Sequence, residues 1–155
     1  MSSAVHSFPI PPVIKTVFVA CNPEIAFRAF TTNMGRWYPL DRYSINPAVD
    51  CRLEPHIGGR LYEVAADGEE TIWGHVLEWD EPNSIAFAWQ ARVGEDEAQR
   101  IDISFRGLAG GTEVQLIHSG WERLKIDAAL WRDKYDGGWV EVFERCFKAF
   151  ADNTT

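Results

Sequence analysis

The chain has 155 residues, 46% hydrophobic and 25% charged, the size and balance of one soluble globular domain. A formal net charge of −8, with no run of Lys or Arg, argues against nucleic acid or an anionic membrane as partner. Cys21, Cys51 and Cys146 are too few and too scattered for a disulfide framework or a zinc site, which fits a reducing cytoplasm, and no apolar stretch nears the ~20 residues that span a bilayer.

Residues 1–12 carry Pro9, Pro11 and Pro12 and lack a basic segment followed by an apolar core, so they read as a flexible N-terminal arm, not a signal peptide. Val13 to Ala20 reads as a strand. Asn22-Pro23-Glu24 is a helix start, with Ala26, Phe27 and Phe30 as its buried stripe. Thr31 to Trp37 reads as a second short helix and Tyr38 to Pro47 as loop. Turn signals then recur at Gly58-Gly59, Asp67-Gly68, Glu81-Pro82-Asn83, Gly94-Glu95-Asp96 and Gly110-Gly111. Between them Leu61–Ala65, Thr71–Trp79, Ser84–Gln90, Arg100–Arg106 and Thr112–Ser119 have strand character. Ile101, Ile103 and Phe105 alternate cleanly with Asp102, Ser104 and Arg106, as in a sheet with one wet face.

Asp127 is placed to cap a final helix over about Ala128 to Ala151. Trp139, Val142, Phe143, Cys146, Phe147 and Phe150 share one face of it. Glu141 with Arg145, and Glu144 with Lys148, are expected pairs on the other face. Gly137-Gly138 inside this helix cost roughly 1 kcal/mol each against alanine. They suggest a close approach to the backbone or a bend. The order of strand, two short helices, more strands and long helix predicts an α+β domain over residues 13–151. Its antiparallel sheet of about seven strands wraps around the C-terminal helix. The space between is either packed with aromatics or left as a cavity.

The ordered set Asn22-Pro23-Glu24, Phe27, Trp37, Gly58-Gly59-Arg60, Asp67-Gly68, Gly74-His75-Val76, Glu81-Pro82, Trp89, Gly111-Thr112-Glu113-Val114, Leu116, His118 and Gly138-Trp139 resembles the START-like (SRPBCC) superfamily. Within that superfamily it is most similar to the activators of heat-shock-chaperone ATPase, over roughly Val13 to Phe150. The resemblance implies a helix-grip fold with a cavity between sheet and long helix. In such proteins the cavity is described as binding lipids, sterols, hormones or polyketides, and a few members are enzymes. The group's name points to stress response and to a chaperone or a second copy of the chain as possible partners. No universal catalytic motif comes with the resemblance.

Trp37, Tyr38, Trp73, Trp89, Trp121, Tyr135, Trp139 and Phe143 are the aromatic pocket candidates. His118 follows Val114 and Leu116 on one strand face, as a pocket proton-transfer group or as a satisfied core histidine. His75 is a further pocket candidate, but both faces of its strand are mixed. Arg60 could enter the cavity to hold a carboxylate; Glu63 and Arg106 read as solvated-face charges. His6, His56, His75 and His118 form no metal motif, and there is no nucleophile elbow, P-loop or dinucleotide fingerprint. The expectation is therefore non-enzymatic binding of a small apolar or amphipathic molecule, with no cofactor, metal or catalytic residue. A protein-interaction module, or a cyclase or hydratase, are the alternatives.

Overall fold

A computed structural model describes residues 9–154. His6 and most of the expected arm fall outside the described residues. Seven strands form one antiparallel sheet in the order β1-β7-β6-β5-β4-β3-β2. They are β1 Val13–Val19, β2 Asp50–Leu53, β3 Arg60–Val64, β4 Glu70–Asp80, β5 Ser84–Trp89, β6 Gln99–Leu108 and β7 Gly111–Ser119. Strands β2 to β7 are a meander of hairpins, and β1 closes the series against β7. β2 is a strand that the sequence reading did not separate from the loop before it.

Helix α1, Pro23–Phe30, starts as its sequence dictates: the Asn22 side chain accepts from the Ile25 N–H. A single 3-10 turn, Met34–Arg36, stands where the second helix was expected. The loop assigned to Tyr38–Pro47 contains one further turn, α2, Leu40–Tyr43. The final helix is α3 Ala128–Trp139, then Val140–Phe147 wound as a π-helix, then α4 Lys148–Asp152. Asp127 occupies the N-cap position in the left-handed region, at φ 57°, but its side chain caps nothing.

The π segment explains why the expected surface pairs do not form. Wider winding breaks the four-residue spacing that brings such side chains together. Glu141 instead meets Arg42 and the Tyr43 hydroxyl, and Lys148 meets Asp152 at 2.8 Å. No backbone comes near the two glycines. Gly137 faces open space, and a methyl group on Gly138 would rest at 3.5 Å from the Tyr43 ring. The adjustment that they mark is the change of helix type beginning at Val140.

Strand alternation fills the core as expected from β6 and β7. Ile101, Ile103, Phe105, Thr112, Val114, Leu116 and His118 are all at most 4% exposed. β4 departs from simple alternation because it carries two register shifts, one opposite Leu61/Tyr62 and one between Val76 and Glu78. Each shift moves an extra residue across the sheet. Trp73, Val76 and Trp79 therefore turn inward three residues apart. Gly74 is required at the first shift, since a Cβ there would run into the Ala88 carbonyl. His75 pairs with Ala88 and Arg60, and Ala88 with Arg100, which places His75 on the outer face.

Candidate functional site

The helix grips the sheet unevenly. Around Phe30 the interface is solid: Phe87, Phe105, Phe143 and Phe147 pack on its ring at 5.3–6.3 Å, with Trp37 at 5.4 Å. Towards Trp89 the packing opens into a recess of about 150 Å³ between β4, β5, the Tyr38–Ile45 segment and α3. A second recess of about 250 Å³ adjoins it and shares Ala91, Arg92, Trp131 and Tyr135 as walls.

Five of the ten candidates line the inner recess: Tyr38, Trp73, Trp89, Tyr135 and Trp139. The other five do not. Trp37 donates its indole N–H to the Ala29 carbonyl at 2.7 Å and belongs to the core, as do the fully buried Trp121 and Phe143. His75 is on the outer face, as described. His118 lies one side chain behind the wall and is fully buried. Arg60 is also outside, pairing with Glu54 and Glu70 at 2.8 Å each.

His118 is held as a neutral ring. The Trp139 indole is a donor only, so His118 Nδ1 accepts from it, at 3.1 Å. The proton then sits on Nε2, which donates to Gln99 Oε1 at 3.2 Å. Gln99 in turn donates to the Glu97 carbonyl at 2.7 Å. Burial pushes the imidazole down to about 3. Its chemical task is to fix the Trp139 ring that forms the pocket wall.

Glu63 is the residue that sequence reasoning misplaced most. It is 1% exposed, not solvated. Its Oε1 accepts from the Ile45 N–H at 2.6 Å and from the Trp73 indole at 2.7 Å, and its Oε2 accepts from the Asn46 N–H at 2.8 Å. One buried carboxylate therefore fixes a wall ring and the strap that bears Ile45, another wall residue. No local pattern announces this, because the β4 register shift is what turns Trp73 towards it.

Two phenols meet the cavity. Tyr135 Oη accepts from the Trp89 indole at 2.9 Å. The Tyr38 ring packs on Trp73 at 4.8 Å, and its hydroxyl has no partner among the described residues. No side-chain polar atom is both sealed and unsatisfied among those residues, so this hydroxyl opens on the recess. Burial raises the Tyr38 phenol well above its ordinary value and raises that of Tyr135 as well. Both stay protonated and able to donate at neutral pH. At the mouth stand Arg42, Arg92 and Lys134, none of which the sequence had singled out. Three or more metal-binding side chains do not gather anywhere among the described residues.

A family model described as Activator of Hsp90 ATPase homolog 1-like protein matches residues 20–151. The chain belongs to this family. Among curated proteins none matches it. Among solved structures the activator-like chain is 32% identical to Txn09, an anthrahydroquino-γ-pyrone synthase solved as a complex; the match covers 92% of this chain and 97% of that one, at a TM-score of 0.65. It is 25% identical to CalC, a self-sacrificing resistance protein from Micromonospora echinospora, over 92% and 95% of the two chains at a TM-score of 0.69. An Aha1 dimer from Colwellia psychrerythraea shares the fold at 13% identity, over 90% and 96%, with a TM-score of 0.63. The helix-grip architecture expected from the sequence is thus the architecture of this family. No helix among the described residues is long and apolar enough to cross a membrane.

Proposed function

We propose that the protein binds a small aromatic, amphipathic molecule without covalent chemistry in the recess between β4, β5 and α3. The observation that carries this is the Tyr38 hydroxyl, an unpartnered donor set among the rings of Trp73, Trp89 and Trp139. A ligand that seals the recess without pairing this hydroxyl would incur a cost of about 1–3 kcal/mol, which selects for a ligand that brings an oxygen to it. The inner recess has the volume of an engineered cavity, about 150 Å³, that accepts a benzene-sized ring. A longer body would continue past Trp131 into the adjoining recess. The relative at 32% identity supports this reading, since it is an anthrahydroquino-γ-pyrone synthase.

Likeness to that synthase favours a second reading, a cyclase that closes an oxygen ring on an aromatic substrate. Tyr38 and Tyr135 would then be the proton donors, because the buried neutral His118 has no access to a substrate. Docking on a chaperone or a second copy draws its support from the family name.

Titration with naphthalene-2-carboxamide, followed by tryptophan fluorescence and calorimetry, tests the binding reading. Quenching with one-to-one stoichiometry is expected. No heat and no quenching up to the solubility limit would overturn it.

A further inference from the structure

The chain carries 23 acidic and 15 basic residues, yet among the described residues no Asp or Glu lines the inner recess, while Arg42, Arg92 and Lys134 do. A random share of this surface would be mostly acidic. These cations differ in how far they are neutralised. Arg42 is engaged by Glu141. Arg92 and Lys134 have no ion pair among the described residues. Arg92 donates one N–H to the Ser44 carbonyl at 2.8 Å, which aims its guanidinium across the mouth and leaves other N–H groups unused. Its backbone is held at φ 68°, a left-handed turn conformation uncommon for a long side chain. Lys134 stands 4.8 Å over the Trp131 ring, the wall shared by both recesses.

We infer that the ligand is an aromatic acid: a ring system that carries a carboxylate or an acidic phenol, its ring among Trp73, Trp89 and Trp139 and its anion between Arg92 and Lys134. The inference rests on the binding reading above and adds the charge of the ligand. Rings and anion are then recognised from opposite ends of one recess, with Tyr38 donating to a further oxygen on the ring. Guanidinium and carboxylate groups match in geometry, and two cations converging on one anion add to an interaction that a single exposed pair leaves weak.

Naphthalene-2-carboxylate and naphthalene-2-carboxamide have nearly the same shape and differ in charge. At low ionic strength the carboxylate is expected to bind about tenfold more tightly. That advantage, read as the ratio of the two affinities within one variant, should shrink to about twofold in the double variant Arg92→Gln/Lys134→Gln. The double control Arg52→Gln/Arg106→Gln removes the same two charges away from the recess, where Arg52 pairs with Asp50 and Arg106 with Glu113, and should leave the advantage intact. Both mouth residues are exposed, so the melting temperature of the variants reports whether the fold is kept. Equal affinities for acid and amide would overturn the inference and leave the binding reading standing. Loss of the advantage in the double control as well would also overturn it, because the effect would then be the overall field of the protein. Binding of neither compound would sink both.

Discussion

The two halves of the C-terminal helix face the same sheet and do different work. From Val140 onward the π segment and α4 bury Val142, Phe143, Phe147 and Ala151. Over the twelve residues before that, α3 buries only Trp139. Phe143 and Phe147 stack at 5.4 Å and lock on Phe30, whereas Trp131 and Tyr135 stand apart as walls of two recesses. One half holds the helix to the sheet, so the other half need not. A cavity of this kind survives because the packing that maintains the fold is gathered elsewhere.

Truncating each half gives the sharpest contrast. Phe147→Ala should lower stability by about 3–5 kcal/mol. Trp131→Ala, on the open half, should cost no more than about 1 kcal/mol. Urea unfolding of the two variants measures both, and similar losses would erase the distinction.

Glu63→Gln tests what holds the open half in shape. It replaces an acceptor oxygen by a second donor facing donors, at a cost of about 2 kcal/mol. The amide oxygen can still accept from Ile45 and Trp73, while the amide nitrogen faces the Asn46 N–H, so the strap should loosen from the wall and shift the emission of the tryptophans beside it. Unchanged emission would mean that the carboxylate is not what holds the strap to the wall.

Acid should weaken the wall through His118. Its folded value of about 3 lies below the ordinary value near 6.5. Between these values the unfolded chain binds the proton and the folded one does not. The stability owed to this group is therefore complete above pH 6.5 and declines as pH falls towards 3, by up to about 1.4 kcal/mol per pH unit. No carboxylate contributes to the shift; burial is the whole cause. Comparing unfolding at pH 7 and pH 4.5 with His118→Gln isolates the group, since the variant should have the shallower acid limb.

Tyr38→Phe is the smallest expected effect on the fold and the most specific on the site. Its hydroxyl has no described partner, so stability should stay within about 0.5 kcal/mol. Affinity for an oxygen-bearing aromatic ligand should fall by roughly fivefold, about 1 kcal/mol. A large loss of stability would show that the hydroxyl is bonded within the protein.

The solid half was the more legible in sequence. Its residues follow helical and strand periods, and Ile101, Ile103, Phe105, Phe143 and Phe147 fell into place by alternation and spacing. The open half depends on departures from period. Two register shifts decide which tryptophans of β4 face inward; Gly74 is a local mark of the first, and the second has none. Arg42, Tyr43 and Ile45 reach the recess from a stretch that reads as plain loop, and Arg92 from a turn. Glu63 looked like any strand carboxylate because its three donors come from two distant segments. Aromatic composition fits a cavity and a packed core equally, and only tertiary placement separates the wall residues Trp89 and Trp139 from the core residues Trp37 and Trp121.

The π segment also acts as a rotational index. Each residue of an α-helix advances the chain by about 100°. Eight residues in wider winding, with the Lys148 N–H reaching back to the Phe143 carbonyl, set the azimuth at which α3 leaves the gripping end. Removing one residue between Val140 and Phe143 with the winding kept would turn α3 by most of that angle relative to the gripping end. Phe143 and Phe147 could keep their seats while Trp131, Tyr135 and Gly138 swung away from the recess. The count of residues in that short stretch, as much as their chemistry, decides which side of the helix a ligand would meet.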